Sequence, residues 1–543
     1  MPRLLALVAL VLVPLAAPCA QDASGSELFA IRKNFGLFAE IYEALAGQYV
    51  DPVDAERLMR TGIASMTDDL DPYTVFFDEA TTAAGRLQQA GDVGGTGVIV
   101  QSVGGQLVVV SVTDGSAAES QGVRPGDALV SVGGRDAGSL TATAAANVLQ
   151  GEPGSTVELV VAREGEAAPL RFVLVRAEPD RDDISYAGFV RPGVGYVRLT
   201  QFLGPASAQV RDAIERLQAE GELTALLLDL RGNPGGLLEE AVEIVGLFVP
   251  SGTVVSTTNG RAAGMAQTYA TDVRPLLPET PVAVLVDNSS ASASEIVAGA
   301  LQDLDRGLVV GETTFGKGLV QIVRPMPYGT ALKLTVGRYT TPSGREIQRL
   351  DYRQGERAEA VADTRRTAFR TSTGRTVRDG GGIEPDVPVE LGGESELERA
   401  LVRTAAFLRY ANRYAAEHPD LPAGFRADAD LLADFQRFVQ REGVDYQTGA
   451  ERALATLADA LSTAGYDGAE DEQAALARAV EQEKARDFER HAARLTVRLQ
   501  QEILARYLGE QAQTAAALTD DPVVLAAVAV VTDAEAYATA LGR

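Results

Sequence analysis

Thiols, imidazoles and ammonium groups are scarce in this chain of 543 residues, and each shortage removes a class of chemistry. The one cysteine, Cys19, lies beside the N-terminus. A chain that has shed that segment has no disulfide and no thiolate nucleophile. The two histidines, His418 and His491, both fall far along the chain from the motifs described below, which argues against a histidine-based triad and against a zinc site. Lysine supplies only four of the 49 cationic side chains (Lys33, Lys317, Lys333 and Lys484). This acid-rich, lysine-poor balance fits either a salty habitat or a GC-rich genome. A basic stripe is missing as well: the net charge is −26, which excludes the phosphate neutralisation that nucleic-acid binding needs. No glycine-rich loop fits a P-loop or a dinucleotide fingerprint, so neither a nucleotide cofactor nor a metal is called for. After the first twenty residues no apolar run reaches membrane length, and Val523–Val531 is far too short.

What is present begins with an export signal. Arg3 precedes an apolar run from Leu4 to Ala17, followed by small residues around Ala20, so residues 1–20 read as a signal peptide. The expected location is the periplasm or cell envelope. Pro18, in place of the small residue that precedes a lipidated cysteine, argues against an anchor at Cys19. Length suggests three or four domains. Residues 21–92 read as helical, with Phe38, Ile41, Tyr42 and Leu45 at helical spacing. Residues 93–177 are short β-runs broken by glycine. Residues 178–393 alternate strands and helices, with buried strands expected at Ala225–Leu230, Val282–Val286 and Leu308–Val310. The polar stretch 354–377 reads as a surface insertion. Residues 394–543 are helical, for example Leu397–Ala415 and Leu495–Leu508.

Three segments of the alternating region carry chemistry. Asn288-Ser-Ser-Ala-Ser-Ala-Ser-Glu-Ile296 lies between a strand and a helix, where a hydroxyl can be exposed and the first helical N–H groups can face an oxyanion. The bland reading of Ser292-Ala-Ser-Glu295 is a capping box. Lys317 stands in a glycine-flanked turn, Thr314-Phe-Gly-Lys-Gly318. In a chain that otherwise uses arginine, a lysine here is notable, because lysine can act as a base and arginine effectively cannot. An ordinary surface lysine is the alternative. Leu228-Asp-Leu-Arg-Gly-Asn-Pro-Gly-Gly236 ends a strand in paired glycines, which suit either a tight turn or a close backbone approach with N–H donors.

Together these segments resemble the carboxy-terminal processing (tail-specific) serine peptidases with a PDZ domain. The resemblance spans residues 38–390 and is reinforced by Gln302-Asp303, Leu332-Lys-Leu-Thr335, Tyr339-Thr-Thr-Pro-Ser-Gly344 and Ile383-Glu-Pro-Asp386. It implies an α+β multidomain fold: a helical N-terminal region, a PDZ β-sandwich or barrel, and a mixed α/β sheet-spiral peptidase core. The helical C-terminal extension lies outside the common core. It further implies Ser292 as nucleophile, Lys317 as general base, Gln321 as the residue orienting that lysine, and the N–H groups of Gly236 and Ala293 as the oxyanion hole. Glu295 reads as helix-capping support and Asp303 as structural. Gly94-Gly-Thr-Gly-Val-Ile99 is similar to a PDZ carboxylate-binding loop, so Gly95, Thr96, Gly97 and Val98 would receive a substrate tail. The expected partners are protein substrates with accessible C-termini, with a homo-oligomer left open. The rival is a peptide-binding adaptor on a decayed peptidase scaffold.

Overall fold

The computed structural model describes residues 25–79, 81–82, 94–178, 183–262, 264–352, 359–390, 392–422 and 424–543. The signal-peptide reading, Cys19 and the start of the polar stretch at Gln354 lie outside the described residues. The chain divides into two compact units at Phe76/Phe77. The first holds helices α1 (Gly25–Gln48) and α2 (Ala55–Asp68). Asp54 caps α2 by accepting from Arg57 N–H at 3.0 Å, and Tyr42 O–H ties the two helices together through Ala55 O at 2.7 Å.

The second unit opens with a six-stranded antiparallel sheet: β1 (Val98–Val103), β2 (Gln106–Val112), β3 (Ala128–Val132), β4 (Thr156–Ala162) and β5 (Leu170–Val175) are paired in that order, and the two-residue strand Arg135–Asp136 pairs with β3. Helix α3 (Ala142–Leu149) packs beside β1. Alternate strand residues, among them Val109, Val132, Leu159, Val161 and Leu174, point inward with Ala145 and Leu149 of α3 and form a core of their own. Asp127 fastens the Gly122–Leu129 turn: it accepts from Arg124 N–H at 2.9 Å and pairs with Arg163 at 2.7 Å.

The second region is built on a six-stranded sheet. Its strands are β6 (Ile184–Arg191), β7 (Val194–Leu199), β8 (Ala225–Asp229), β11 (Val282–Val286), β12 (Leu308–Gly311) and β15 (Val387–Pro388). The spatial order is β15-β12-β11-β8-β7-β6, parallel throughout except for the β6–β7 hairpin. A smaller antiparallel sheet joins β9 (Val254–Asn259), β10 (Gln267–Ala270), β13 (Leu319–Pro325) and β14 (Ala331–Thr340). The parallel strands are apolar on both faces, as crossover connections demand. Leu226, Leu228, Val284, Val286 and Val309 face the helices α4 (Ala206–Glu220), α5 (Leu238–Gly246) and α6 (Ala293–Asp303).

The opposite face, with Ala225, Leu227, Ala283, Leu285 and Val310, is covered by the C-terminal extension. That extension runs α7 (Glu396–Arg403), α8 (Ala406–Glu417), α9 (Ala429–Arg441), α10 (Gly449–Ala464), α11 (Glu470–Lys484), α12 (Ala492–Leu504), α13 (Glu510–Leu518), α14 (Pro522–Thr532) and α15 (Ala534–Ala540). Helices α7, α8, α9 and α12 share a core around Phe407, Tyr410, Phe435, Leu499 and Ile503. Val523, Val524, Ala527, Val528 and Val531 of α14 then lie on the sheet, which is the destination of the short apolar run seen in the sequence. No single helix among the described residues is long and apolar enough to cross a membrane. The β2-to-β3 segment reaches the extension too: Asp114 accepts from Glu510 and Gln511 N–H at 2.7 and 2.9 Å and so caps α13, while Asn412 Nδ2 donates to Gly126 O at 3.0 Å.

Two expectations need correction. The helix expected over Leu397–Ala415 is broken between α7 and α8, where Ala405 adopts φ +53°. No glycine or proline marks the break; Phe407 and Tyr410 follow it into the extension's core. The described part of the polar stretch 354–377 is not simply a surface insertion. Arg375 reaches inward to Asp305 at 2.7 Å and also pairs with Asp386.

Candidate active site

Three loops leave the carboxyl ends of the adjacent parallel strands β8, β11 and β12, the place where open α/β sheets bind ligands. They are the three segments singled out in the sequence, and they are stitched to one another. Ser290 Oγ donates to Leu230 O at 2.8 Å, and Asp287 Oδ1 accepts from Gly232 N–H at 3.0 Å. Asn233 O accepts from Ala291 N–H at 3.0 Å and from Ser294 Oγ at 2.9 Å, while Asn233 Nδ2 donates to Leu199 O. The third loop joins through Phe315 N–H, which donates to Ser290 O at 2.9 Å.

Ser292 stands at the turn between β11 and α6 with φ +56° and ψ −112°, a backbone state that costs a non-glycine residue about 1–3 kcal/mol and is held only where the surroundings over-determine it. Gly235 lies directly against it. A methyl group on Gly235 would fall 2.6 Å from Ala291 O and 2.8 Å from both Ala293 N and Ser292 Cβ. Glycine is therefore what lets the two loops approach. Among the described residues neither the Gly236 nor the Ala293 N–H has an acceptor, although their neighbours do: Leu237 N–H donates to Phe202 O and Ser294 N–H to Ala291 O.

Glu295, fully buried on the first turn of α6, does more than cap the helix. Its Oε2 accepts from Ser292 N–H at 2.9 Å and from Lys317 N–H at 2.8 Å; its Oε1 accepts from Gly316 N–H at 2.7 Å and from Thr314 Oγ1 at 2.5 Å. One carboxylate thus fixes the serine segment and the lysine segment to each other. Burial pushes its pKa above the ordinary carboxylate value, against the pull of the four donors. Tyr339, buried on β14, bridges the same segments: its hydroxyl lies 3.1 Å from Ser292 O and 2.7 Å from Lys317 O. Desolvation raises the pKa of that phenol, so it remains a neutral donor. The Ser292 and Lys317 side chains are each half-buried at this junction. The reach of Glu295 and the bridge of Tyr339 were not read from the sequence. Their partners come from loops distant along the chain, and only the acidic residue three places after Ser292 left a local signal.

The remaining residues sort themselves by their contacts. Gln321, on β13, donates from Nε2 to Thr335 Oγ1 on β14 at 3.4 Å. Asp303, at the far end of α6, pairs with the buried Arg345 at 2.8 Å and accepts from Ser343 N–H. Arg345 also donates to Gln302 Oε1, and Gln302 donates to Glu384 O and Asp386 Oδ1. Gln302-Asp303 and Ile383–Asp386 therefore form a polar anchor for α6 rather than part of the reacting group. His418 stacks on Tyr414 at 4.2 Å inside the extension, and no group of side chains suited to a metal occurs among the described residues.

In the β1–β5 domain, Gly95 N–H is bonded to Ala177 O at 2.9 Å, which takes it from the set of groups expected to receive a peptide tail. Thr113 N–H bonds to Gly97 O, so Val98 and Val112 form a non-hydrogen-bonded pair and the Val98 N–H points away from β2. Among the described residues β1 has β2 as its single strand neighbour, which leaves an edge beside α3.

Comparison with known proteins gives the family and the domains. The model of peptidase family S41 matches residues 193–353, that of the PDZ domain residues 108–163, and one described as "Probable PDZ-protease, C-terminal helical domain" residues 397–531. A carboxy-terminal-processing protease of Bartonella bacilliformis is 35% identical over 319 residues, covering 58% of this chain and 73% of that protein. The chain belongs to the carboxy-terminal-processing peptidases of family S41. A chloroplastic C-terminal processing peptidase of Tetradesmus obliquus is 35% identical over 296 residues, or 52% of this chain and 63% of its own length. The solved photosystem II D1 C-terminal processing protease shares 29% identity over 65% of this chain and 92% of that one, with a TM-score of 0.36. The protein is thus a serine-type peptidase with a PDZ domain and a helical C-terminal domain.

Proposed function

We propose that this S41 peptidase is an exported endopeptidase of the periplasm or cell envelope that cleaves protein substrates near their C-termini with a serine–lysine dyad. The observation that carries the reading is the strained Ser292 at the head of α6, with two uncommitted N–H groups near it and the Lys317 segment held to the same carboxylate. Ser292 Oγ attacks the scissile carbonyl and Lys317 takes its proton. The tetrahedral oxyanion is received by the N–H groups of Gly236 and Ala293. The proton passes to the leaving amine, and water, deprotonated in turn by Lys317, releases the acyl group from the serine. Gln321 helps to orient the lysine from the neighbouring strand. The PDZ edge strand β1 receives the substrate tail by strand addition, with the Thr96, Gly97 and Val98 backbone at the carboxylate end. Digestion of an unfolded test protein, with labelling by a serine-directed phosphonate, tests the core of this. Ser292→Ala should lose both cleavage and label while Ser289→Ala keeps substantial activity. Full turnover in Ser292→Ala would remove the assignment, and a wild-type chain that neither cleaves nor labels would favour the adaptor.

A further inference from the structure

We propose that Asp521, in the C-terminal extension, is a positioning residue for the peptidase reaction, acting through Arg231 on the loop that ends at Gly236. This rests on the oxyanion-hole reading given above. Arg231 is the second residue after β8, and its guanidinium is clamped from two sides. Nε and Nη2 engage both oxygens of the buried Asp229 at 2.6–3.0 Å, and Nη1 donates to Asp521 Oδ2 at 2.7 Å. Asp229 is in turn held by Tyr196 O–H at 2.6 Å. The next residue, Gly232, donates to Asp287 in the serine loop, and Asn233 accepts from Ala291 and Ser294 around the nucleophile. The stretch from Arg231 to Gly236 contains three glycines, two of them at φ +72° and +95°, and apart from the fixed φ of Pro234 its path is set by these contacts. The first fixed point of that path is Arg231. One of its two carboxylate partners comes from a segment 290 residues away.

Asp521 has a second task, which the test must separate from the first. Its Oδ1 caps α14 by accepting from Val523 and Val524 N–H at 2.9 and 3.1 Å, whereas Oδ2 serves Arg231. Serine and asparagine are good N-caps. Asp521→Ser therefore keeps the helix start but is too short to reach Arg231, and Asp521→Asn keeps shape and cap but loses the charge. Asp533 supplies the control: it caps α15 through Glu535 and Ala536 N–H, away from Arg231.

In the full chain, Asp521→Ser should lower kcat by about 3–30-fold with KM within about twofold, the range expected for a residue coupled to a site it does not touch. Asp521→Asn should lose less, Asp533→Ala should leave kcat near wild type, and serine labelling by the phosphonate should slow in parallel with kcat. Unchanged kcat in Asp521→Ser would overturn the proposal, as would an equal loss in Asp533→Ala, because that pattern reports only a weakened extension. If Ser292→Ala still cleaves, the dyad reading is what has failed. If Ser292→Ala is dead while Asp521→Ser is normal, the dyad stands and the role of Asp521 falls.

Discussion

Replacing Glu295 tests the idea that one buried carboxylate aligns nucleophile and base. Four donors converge on it, three of them backbone N–H groups that have no freedom to turn away. In Glu295→Gln the amide nitrogen must take one oxygen's place. At the Oε2 position it would strand both Ser292 and Lys317 N–H. At the Oε1 position the only backbone donor it strands is Gly316 N–H, while the Thr314 hydroxyl, which already accepts from Ile383 N–H, turns to accept and must redirect its own proton. The second orientation wins because a hydroxyl can rotate and a backbone N–H cannot, so the loss should be at least one buried donor, about 1–3 kcal/mol. Part of this is returned because a neutral amide is less costly to bury than the charge. Glu295→Ala strands all three N–H groups, about 3–9 kcal/mol, with a trapped water pulling the value toward the lower end. The glutamine variant should therefore retain measurable cleavage, and the alanine variant should have none. The chain has no tryptophan, and a multidomain protein has no single unfolding free energy. Local opening is better followed by amide hydrogen exchange over residues 290–318 alongside initial cleavage rates. If the alanine variant exchanged like wild type, or the glutamine variant were as inactive as alanine, the clamp argument would be wrong.

Lys317→Arg keeps the cation and removes the base, so it should abolish cleavage while the fold, followed by circular dichroism, is unchanged. Activity in the wild type should rise with pH through an ionisation well below 10; near-normal turnover in Lys317→Arg would end the dyad mechanism. A substrate-tail peptide with an amidated C-terminus should bind the inactive Ser292→Ala chain about 1–3 kcal/mol more weakly than the free acid, measured by calorimetry, and equal binding would argue against tail capture. Arg345→Met leaves Asp303 buried without its cation and should cost about 3–5 kcal/mol in the opening of α6. Arg338→Met, at an exposed pair with Glu346, should cost about 0–1 kcal/mol by the same measurement.

The parts of this fold that were legible in the sequence are those with local signatures. Apolar strands at Ala225–Leu230 and Val282–Val286, glycine-rich turns at their ends and a serine before a helix predict an α/β core with its chemistry at strand ends, and the three loops do meet at the carboxyl ends of the parallel strands. Long-range pairings leave no such trace. Nothing near Asp521 announces Arg231, and nothing near Arg375 announces Asp305 and Asp386. Gly95 matched its loop motif, yet its amide is spent on Ala177, a partner more than eighty residues on. The strands' second apolar face was itself a clue, since a sheet apolar on both sides requires a second cover. The apolar run at Val523–Val531 answers it, but an isolated run carries no address.

The double-sided sheet also sets a folding order. Strands β8, β11 and β12 exist long before α14 has been made, so during synthesis the face formed by Leu227, Leu285 and Val310 has no partner. Pairing it with Val524 and Val528 closes one of the longest loops in the chain, and such closures come late. A ribosome-bound or shortened chain would hold the catalytic loops on a sheet with one greasy side open, which invites aggregation before it permits catalysis. Helix α14 therefore acts as a late check on assembly: the sheet is covered on both faces only after that helix has been produced.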